Sequence, residues 1–156
     1  MEDRCSWDEY FMHLAEESAL RSKDPSTKVG ACLVKDKRVL SLGYNGAPRN
    51  FPDNEVPSTS YELDNILHQK NTFMVHAELN AILNYSGSMK DLQGATIYVT
   101  IFPCHECAKA LAQLGIKEIV YKNDYHRLCI LGASKYILNK CGIPFRKIGE
   151  SNENKD

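Results

Sequence analysis

Residues 95–121 read ATIYVTIFPCHECAKALAQLGIKEIVY: a β-type run, a helical run and a second β-type run separated only by short punctuation. Ala95 to Ile101 is dense in β-branched and aromatic side chains, and Lys117 to Tyr121 repeats that character. Between them, Cys104 to Leu114 is built of helix formers and stops at Gly115. Strand, helix and strand in this order require a right-handed crossover and parallel pairing. Downstream the pattern repeats, with a helix over Leu128 to Lys140 closed by Gly142-Ile143-Pro144 and a short strand over Phe145 to Ile148. Upstream, His76 to Tyr85 reads as a helix with Gly87 near its end. Val29 to Val34 and Arg38 to Tyr44 flank Lys35-Asp36-Lys37 as a hairpin. Ser6-Trp7-Asp8-Glu9 is a capping box, and it opens a helix over Trp7 to Arg21 that Asp24-Pro25 ends. The expected architecture is an α/β layered domain with a mixed sheet over residues 1–150, followed by a polar tail, Ser151 to Asp156. Asn45 to Asn71 interrupts the pattern with three prolines and one weak helical signal near Tyr61 to Leu67. A loop of that length in a compact domain is functional or mobile.

At 156 residues, with 43% hydrophobic and 25% charged, the chain is long enough for one well-buried core and short for two. No apolar run is long enough to span a bilayer, and the start lacks the basic and apolar regions of a signal peptide. A formal net charge of -1 offers no general attraction to phosphate backbones, so a small-molecule ligand is expected rather than a nucleic acid or a membrane. Of six cysteines, Cys104 and Cys107 stand in Cys-x-x-Cys spacing, whereas Cys5, Cys32, Cys129 and Cys141 are scattered. The scattered four read as reduced thiols, which places the chain in a reducing, cytoplasmic setting.

His76-Ala77-Glu78 precedes Pro103-Cys104-His105-Glu106-Cys107, with 28 positions from His76 to Cys104. One imidazole and two thiolates make three protein ligands for Zn²⁺ and leave an open fourth position, the arrangement of a catalytic rather than a structural zinc. Cys104 and Cys107 are three apart and share a helical face, at a helix start whose free N–H groups favour thiolates. Pro103 suits the position just before that turn. Glu78, two residues beyond His76, belongs beside the metal rather than on it, as a proton shuttle. Alone, Cys-x-x-Cys at a strand-to-helix junction also describes a thioredoxin-like redox site, and His-x-Glu alone marks little more than a helix start. The zinc reading rests on both motifs lying, in this order, at successive helix starts. His105 and Glu106 read as solvent-facing, and His13, His68 and His126 lack a partner at ligand spacing.

The pattern His-x-Glu…Pro-Cys-x-x-Cys is the signature of zinc nucleobase deaminases. The stretches Gly43-Tyr44-Asn45-Gly46-Ala47-Pro48, His76-Ala77-Glu78-Leu79-Asn80-Ala81-Ile82, Phe102 to Lys109 and Arg21-Ser22-Lys23-Asp24-Pro25 resemble deoxycytidylate (dCMP) deaminases, from about Trp7 to Ile148. The resemblance implies a cytidine deaminase-like three-layer α/β/α sandwich with a five-stranded mixed sheet, and hydrolysis of dCMP to dUMP and ammonia for dTTP synthesis. It implies His76, Cys104 and Cys107 as zinc ligands, Glu78 as the catalytic carboxylate, and Asn45 and Ala77 beside the substrate. Arg21, Lys23 and the segment around Tyr125, His126 and Arg127 are the 5′-phosphate candidates, since a monophosphate calls for charge-assisted donors.

Members of this family are commonly regulated oligomers, activated by dCTP and inhibited by dTTP. The resemblance therefore implies a homo-oligomer, a hexamer or another size, and an effector site at Gly43, Tyr44, Asn45, Gly46 and Asp53, with Mg²⁺ accompanying the effector triphosphate. Beyond that turn the chain departs from its relatives, with Arg49-Asn50-Phe51-Pro52-Asp53-Asn54 where many carry a short Gly-Cys-Ser-Asp-Asp type sequence. An extra structural zinc held in the long loop by some relatives finds only His68 here, so one zinc per subunit is expected. Three alternatives stay open: a wider nucleotide range including dCTP, another base substrate on the same zinc core, and a zinc or nucleotide sensor without turnover. Glu78 speaks against the sensor, because a structural zinc has no use for a carboxylate there.

Overall fold

The structure is a computed structural model that describes residues 3–58 and 64–150. Helix α1 (Trp7–Ala19) starts at the expected capping box, in which Ser6 Oγ accepts from Glu9 N–H and Glu9 accepts from Ser6 N–H. It ends two residues before Arg21. Strands β1 (Gly30–Lys35) and β2 (Arg38–Tyr44) form the expected hairpin. Its two central residues, Asp36 and Lys37, both have positive φ, 52° and 61°, which matches the right-handed twist of the strands. Helix α2 (Ala77–Asn84), strand β3 (Thr96–Ile101), helix α3 (His105–Leu114), strand β4 (Glu118–Asn123), helix α4 (Leu128–Lys140) and strand β5 (Phe145–Lys147) complete the sequence of elements. Ends move by one or two residues from the expected ones. The weak helical signal near Tyr61 to Leu67 is a 3₁₀ turn over Ile66–His68; its residues 61–63, and the expected tail 151–156, lie outside the described residues.

The five strands form one sheet in the order β2-β1-β3-β4-β5. β1 pairs antiparallel with both β2 and β3, while β3, β4 and β5 are parallel, so the sheet is mixed as expected. Alternation sorts the side chains. Cys32, Val34, Tyr98 and Val120 face α1 and meet Phe11, Met12 and Ala15. Ala31, Leu33, Ile97, Val99, Ile119 and Tyr121 face the other way, onto Ala77, Ala81, Ala108, Leu111, Leu131 and Leu138 of α2, α3 and α4. One helix covers one face and three cover the other, which gives the three layers.

Two glycines set the spacing between layers. A Cβ on Gly30 would stand 1.8 Å from Ala15 O, and one on Gly43 would stand 2.3 Å from Ala81 N and 2.4 Å from Ala77 O. The helices α1 and α2 therefore rest directly on strand backbone. Helix α2 is also fastened to the edge strand β2: Asn80 Nδ2 donates to Tyr44 O at 2.7 Å, Asn84 Nδ2 to Leu42 O at 3.0 Å, and Ser41 Oγ to Ala81 O at 2.6 Å. The two asparagine bonds satisfy carbonyls that an edge strand would otherwise leave open to pairing.

Candidate active site

Two helix starts meet at the C-terminal end of β3. His76 is the N-cap of α2 and Cys104 the N-cap of α3, both with extended backbone, so each side chain projects over the first turn of its helix. The approach to His76 is fixed by an isolated antiparallel bridge between Gly46 and Val75, with N–H to O distances of 3.0 and 2.7 Å. The same bridge holds Asn45 next to the site. His76 Nδ1 lies 3.3 Å from Cys104 Sγ and 3.5 Å from Cys107 Sγ, and the three donor atoms lie within 4.8 Å of one another. Tetrahedral bonds of ordinary zinc length would separate N and S by about 3.6 Å, so the shell fits Zn²⁺ closely. It is the one such cluster of metal-ligating side chains among the described residues.

Left to themselves the donors share protons. The Cys104 thiol is drawn down to about 4 by hydrogen bonds from Cys107 and His76, against the effect of burial. Cys107 is pushed up by its hydrogen bond to Cys104 and by burial. The His76 imidazole is raised to about 9, chiefly by its hydrogen bond to Cys104, with burial opposing and Glu78 assisting. Glu78 is 4% exposed, and burial pushes its carboxyl up while His76 opposes. A carboxyl held in that way can carry a proton in one state and release it in another.

A small cavity of about 90 Å³ opens onto this shell, lined by His76, Ala77, Glu78, Cys104 and Phe102, by Asn45 and by Tyr125 and His126. The sequence-based candidates Glu78, His76, Cys104, Ala77, Asn45 and Tyr125 thus meet in one place. Arg21 and Lys23 do not join them. They line a neighbouring cavity of about 410 Å³ together with Tyr44, Gly46 and Asp53, and Lys23 pairs with Asp53 at 2.5 Å. Gly43 lies against the backbone of α2 rather than in either cavity.

Sequence reasoning missed the wall between the two cavities. Asp24, Asn45, Lys70 and Met74 line both. Lys70 and Asp24 form a buried ion pair at 2.9 Å, with side chains 7% and 3% exposed. Asp24 Oδ1 also accepts from Ser26 N–H and Thr27 N–H, and these bonds with Lys70 hold its carboxyl below the usual range despite burial. The amide of Asn45 is tied into the same wall: Oδ1 accepts from Val29 N–H at 2.9 Å, and Nδ2 donates to Thr27 O at 2.9 Å. Asp24-Pro25 reads in the sequence as a helix stop, and nothing marks Lys70 inside a polar loop; only their meeting across 46 residues gives them a site.

Residues 5–123 match the family model of the cytidine and deoxycytidylate deaminase zinc-binding region. The chain is 42% identical over 148 residues to the human deoxycytidylate deaminase, covering 94% of this chain and 82% of that one. It is 40% identical over 130 residues to the deoxycytidylate deaminase of Mycobacterium phage D29, covering 78% and 98%. The crystal structure of the cyanophage S-TIM5 dCMP deaminase in complex with dCMP and dUMP superposes with a TM-score of 0.73 at 29% identity, over 94% of this chain and 100% of that one. Sequence, fold and donor set agree, and the chain is an enzyme of the zinc-binding cytidine and deoxycytidylate deaminase family.

Proposed function

We propose that this chain hydrolyses dCMP to dUMP and ammonia, a step that supplies dUMP for dTTP synthesis. The observation that carries the reading is the His76, Cys104 and Cys107 shell with the buried carboxyl of Glu78 beside it, in a chain whose relatives are named for this substrate. Zinc held by those three residues would activate water at neutral pH. Glu78 takes the proton of the attacking water, delivers it to the ring nitrogen next to the reacting carbon, and then protonates the departing amine. Tyr125 lines the cavity where the base would lie, and the small side chain of Ala77, at the first turn of α2, leaves it room. Asn45 meets the substrate with whatever capacity its internal bonds leave: an amide oxygen has a second lone pair.

We assign the 5′-phosphate to the segment Tyr125, His126 and Arg127. Tyr125 and His126 line the small cavity, and Tyr125 and Arg127 line a larger one of about 670 Å³ that also reaches His76, Glu78, Cys104 and Cys107, whereas the charge of Lys70 is spent on Asp24. Arg21 and Lys23, which line the neighbouring cavity with Tyr44, Gly46 and Asp53, fit the triphosphate of a dCTP or dTTP effector with its Mg²⁺. The Asp24–Lys70 pair and Asn45 belong to both walls, which gives an effector a physical route to the catalytic cavity. A homo-oligomer is expected from the family, and Leu83 on α2 with Leu128 and Tyr136 on α4, 67%, 80% and 65% exposed, are the apolar side chains offered to its interface. Sedimentation velocity reads that size directly. Residues 1–150 act as one catalytic domain. Six free cysteines suit a reducing, cytoplasmic setting, and among the described residues no helix is long and apolar enough to cross a membrane.

Ammonia release with dCMP, deoxycytidine, CMP and dCTP in parallel, with and without dCTP or dTTP as effector, tests the reading. Rapid turnover of dCMP with little from deoxycytidine is expected. Equal turnover of deoxycytidine would remove the phosphate from recognition, and preferred turnover of dCTP would make the enzyme a broader nucleotide deaminase.

A further inference from the structure

Ser134 lies in the middle of α4, is fully buried, and lines none of the cavities beside the shell. A buried serine inside a helix ordinarily returns its hydroxyl to a carbonyl of its own helix. Ser134 Oγ instead donates across to Pro103 O at 2.8 Å, with Cys104 O at 3.5 Å. The Pro103 carbonyl belongs to the peptide unit whose nitrogen is that of Cys104. Fixing this carbonyl fixes the plane from which the Cys104 side chain departs toward His76.

The surrounding bonds leave that peptide dependent on Ser134. Phe102 N–H is spent on Asn123 O at 2.8 Å, Pro103 has no N–H, and Cys104 O already accepts from Ala108 N–H at 2.8 Å. Pro103 is itself buried, so its carbonyl has no water to turn to. A buried carbonyl that loses its donor rotates to find another or is left unpaired at a penalty, and rotation here would carry Cys104 with it.

Resting on the zinc reading of the shell, we propose that Ser134 is a positioning residue for the metal site: it clamps the strand-to-helix junction from α4 and so holds the Cys104 thiolate in ligating geometry. Helix α4 is then part of the metal site as well as the crossover between β4 and β5. Its effect is on how long the zinc is held, with turnover following.

The experiment compares the wild-type holoenzyme with Ser134→Ala and, as a packing control on the same helix, Leu138→Val. Alanine is the best helix former and fits where serine fits, so the first variant folds. Zinc transfer to an excess of a coloured chelator and the thiolate-to-metal band of the Co²⁺-substituted proteins are read beside the thermal midpoint. Ser134→Ala is expected to lose zinc about tenfold faster and to change the Co²⁺ band, while Leu138→Val lowers the thermal midpoint and stays within about twofold of wild type in zinc loss. Wild-type zinc loss and an unchanged band in Ser134→Ala would overturn the proposal. So would acceleration in both variants that merely tracks their loss of stability. A wild-type protein that binds no zinc would sink the metal-site reading itself.

Discussion

At the scale of single residues the site depends on where charge is buried. In the proposed mechanism Glu78 moves the protons, so Glu78→Gln keeps shape and removes only proton transfer. The expected result is a loss in kcat of at least about 10³-fold with zinc content unchanged by metal analysis; full activity in that variant would refute the mechanism. Ion pairs divide in the same way. Lys70→Met strips the buried Asp24 of its partner and is expected to cost about 3 kcal/mol in urea unfolding. Lys23→Ala removes an exposed pair, with side chains 78% and 60% exposed, and should change stability by less than about 1 kcal/mol. His76, Glu78, Cys104 and Cys107 were legible in the sequence because their spacing is itself chemical. Lys70 was not, since a lysine in a polar loop looks the same whether solvated or paired.

At the scale of elements, helix starts deliver the ligands and glycines let the helices approach. The turn Gly43-Tyr44-Asn45-Gly46 contains two glycines with different duties. Gly43→Ala would press a methyl into the backbone of α2, which carries Glu78; a loss of about 2–3 kcal/mol with a fall in kcat is expected. Gly46→Ala meets nothing within 4 Å and should leave the unfolding free energy within about 0.5 kcal/mol of wild type. A Gly43→Ala protein as stable and active as wild type would show that α2 can shift without consequence. From the sequence both glycines read alike as turn residues and effector candidates; the closeness of α2 to β2, 34 residues downstream of Gly43 at its first residue, separates them.

At the scale of the whole molecule, the two ends of the described chain are tied across the sheet. Asp8 at the start of α1 accepts two bonds from the Arg146 guanidinium of β5, at 2.6 and 2.9 Å, and one from Tyr98 OH on β3 at 2.6 Å. Arg146 also reaches Glu118 of β4 at 3.2 Å. Burial alone would raise the Asp8 carboxyl, but Arg146 and Tyr98 win and hold it below 3.8. A carboxyl lowered on folding contributes stability above its unfolded pKa, and that contribution is lost as pH falls through the folded value. Asp8→Asn is therefore expected to lower the thermal midpoint at pH 7, with the gap to wild type closing as the pH drops below about 4. A gap that widens on acidification would contradict the pairing.

What the sequence by itself determined is whatever rests on local pattern: the alternation that makes each strand, the caps and stops that bound each helix, the parallel order of the second half, and a His-x-Glu and Pro-Cys-x-x-Cys pair whose spacing already specifies a metal and a carboxylate. What only the tertiary structure decided is what depends on distant segments meeting. It brought Asp24 to Lys70 as a wall between two cavities, sent Arg21 and Lys23 to the cavity away from Glu78, and turned Ser134 toward the carbonyl ahead of Cys104. The reason is physical: local periodicity fixes which way a side chain points from its own element. Its partner is chosen by the packing of other elements, and burial then makes that partner indispensable.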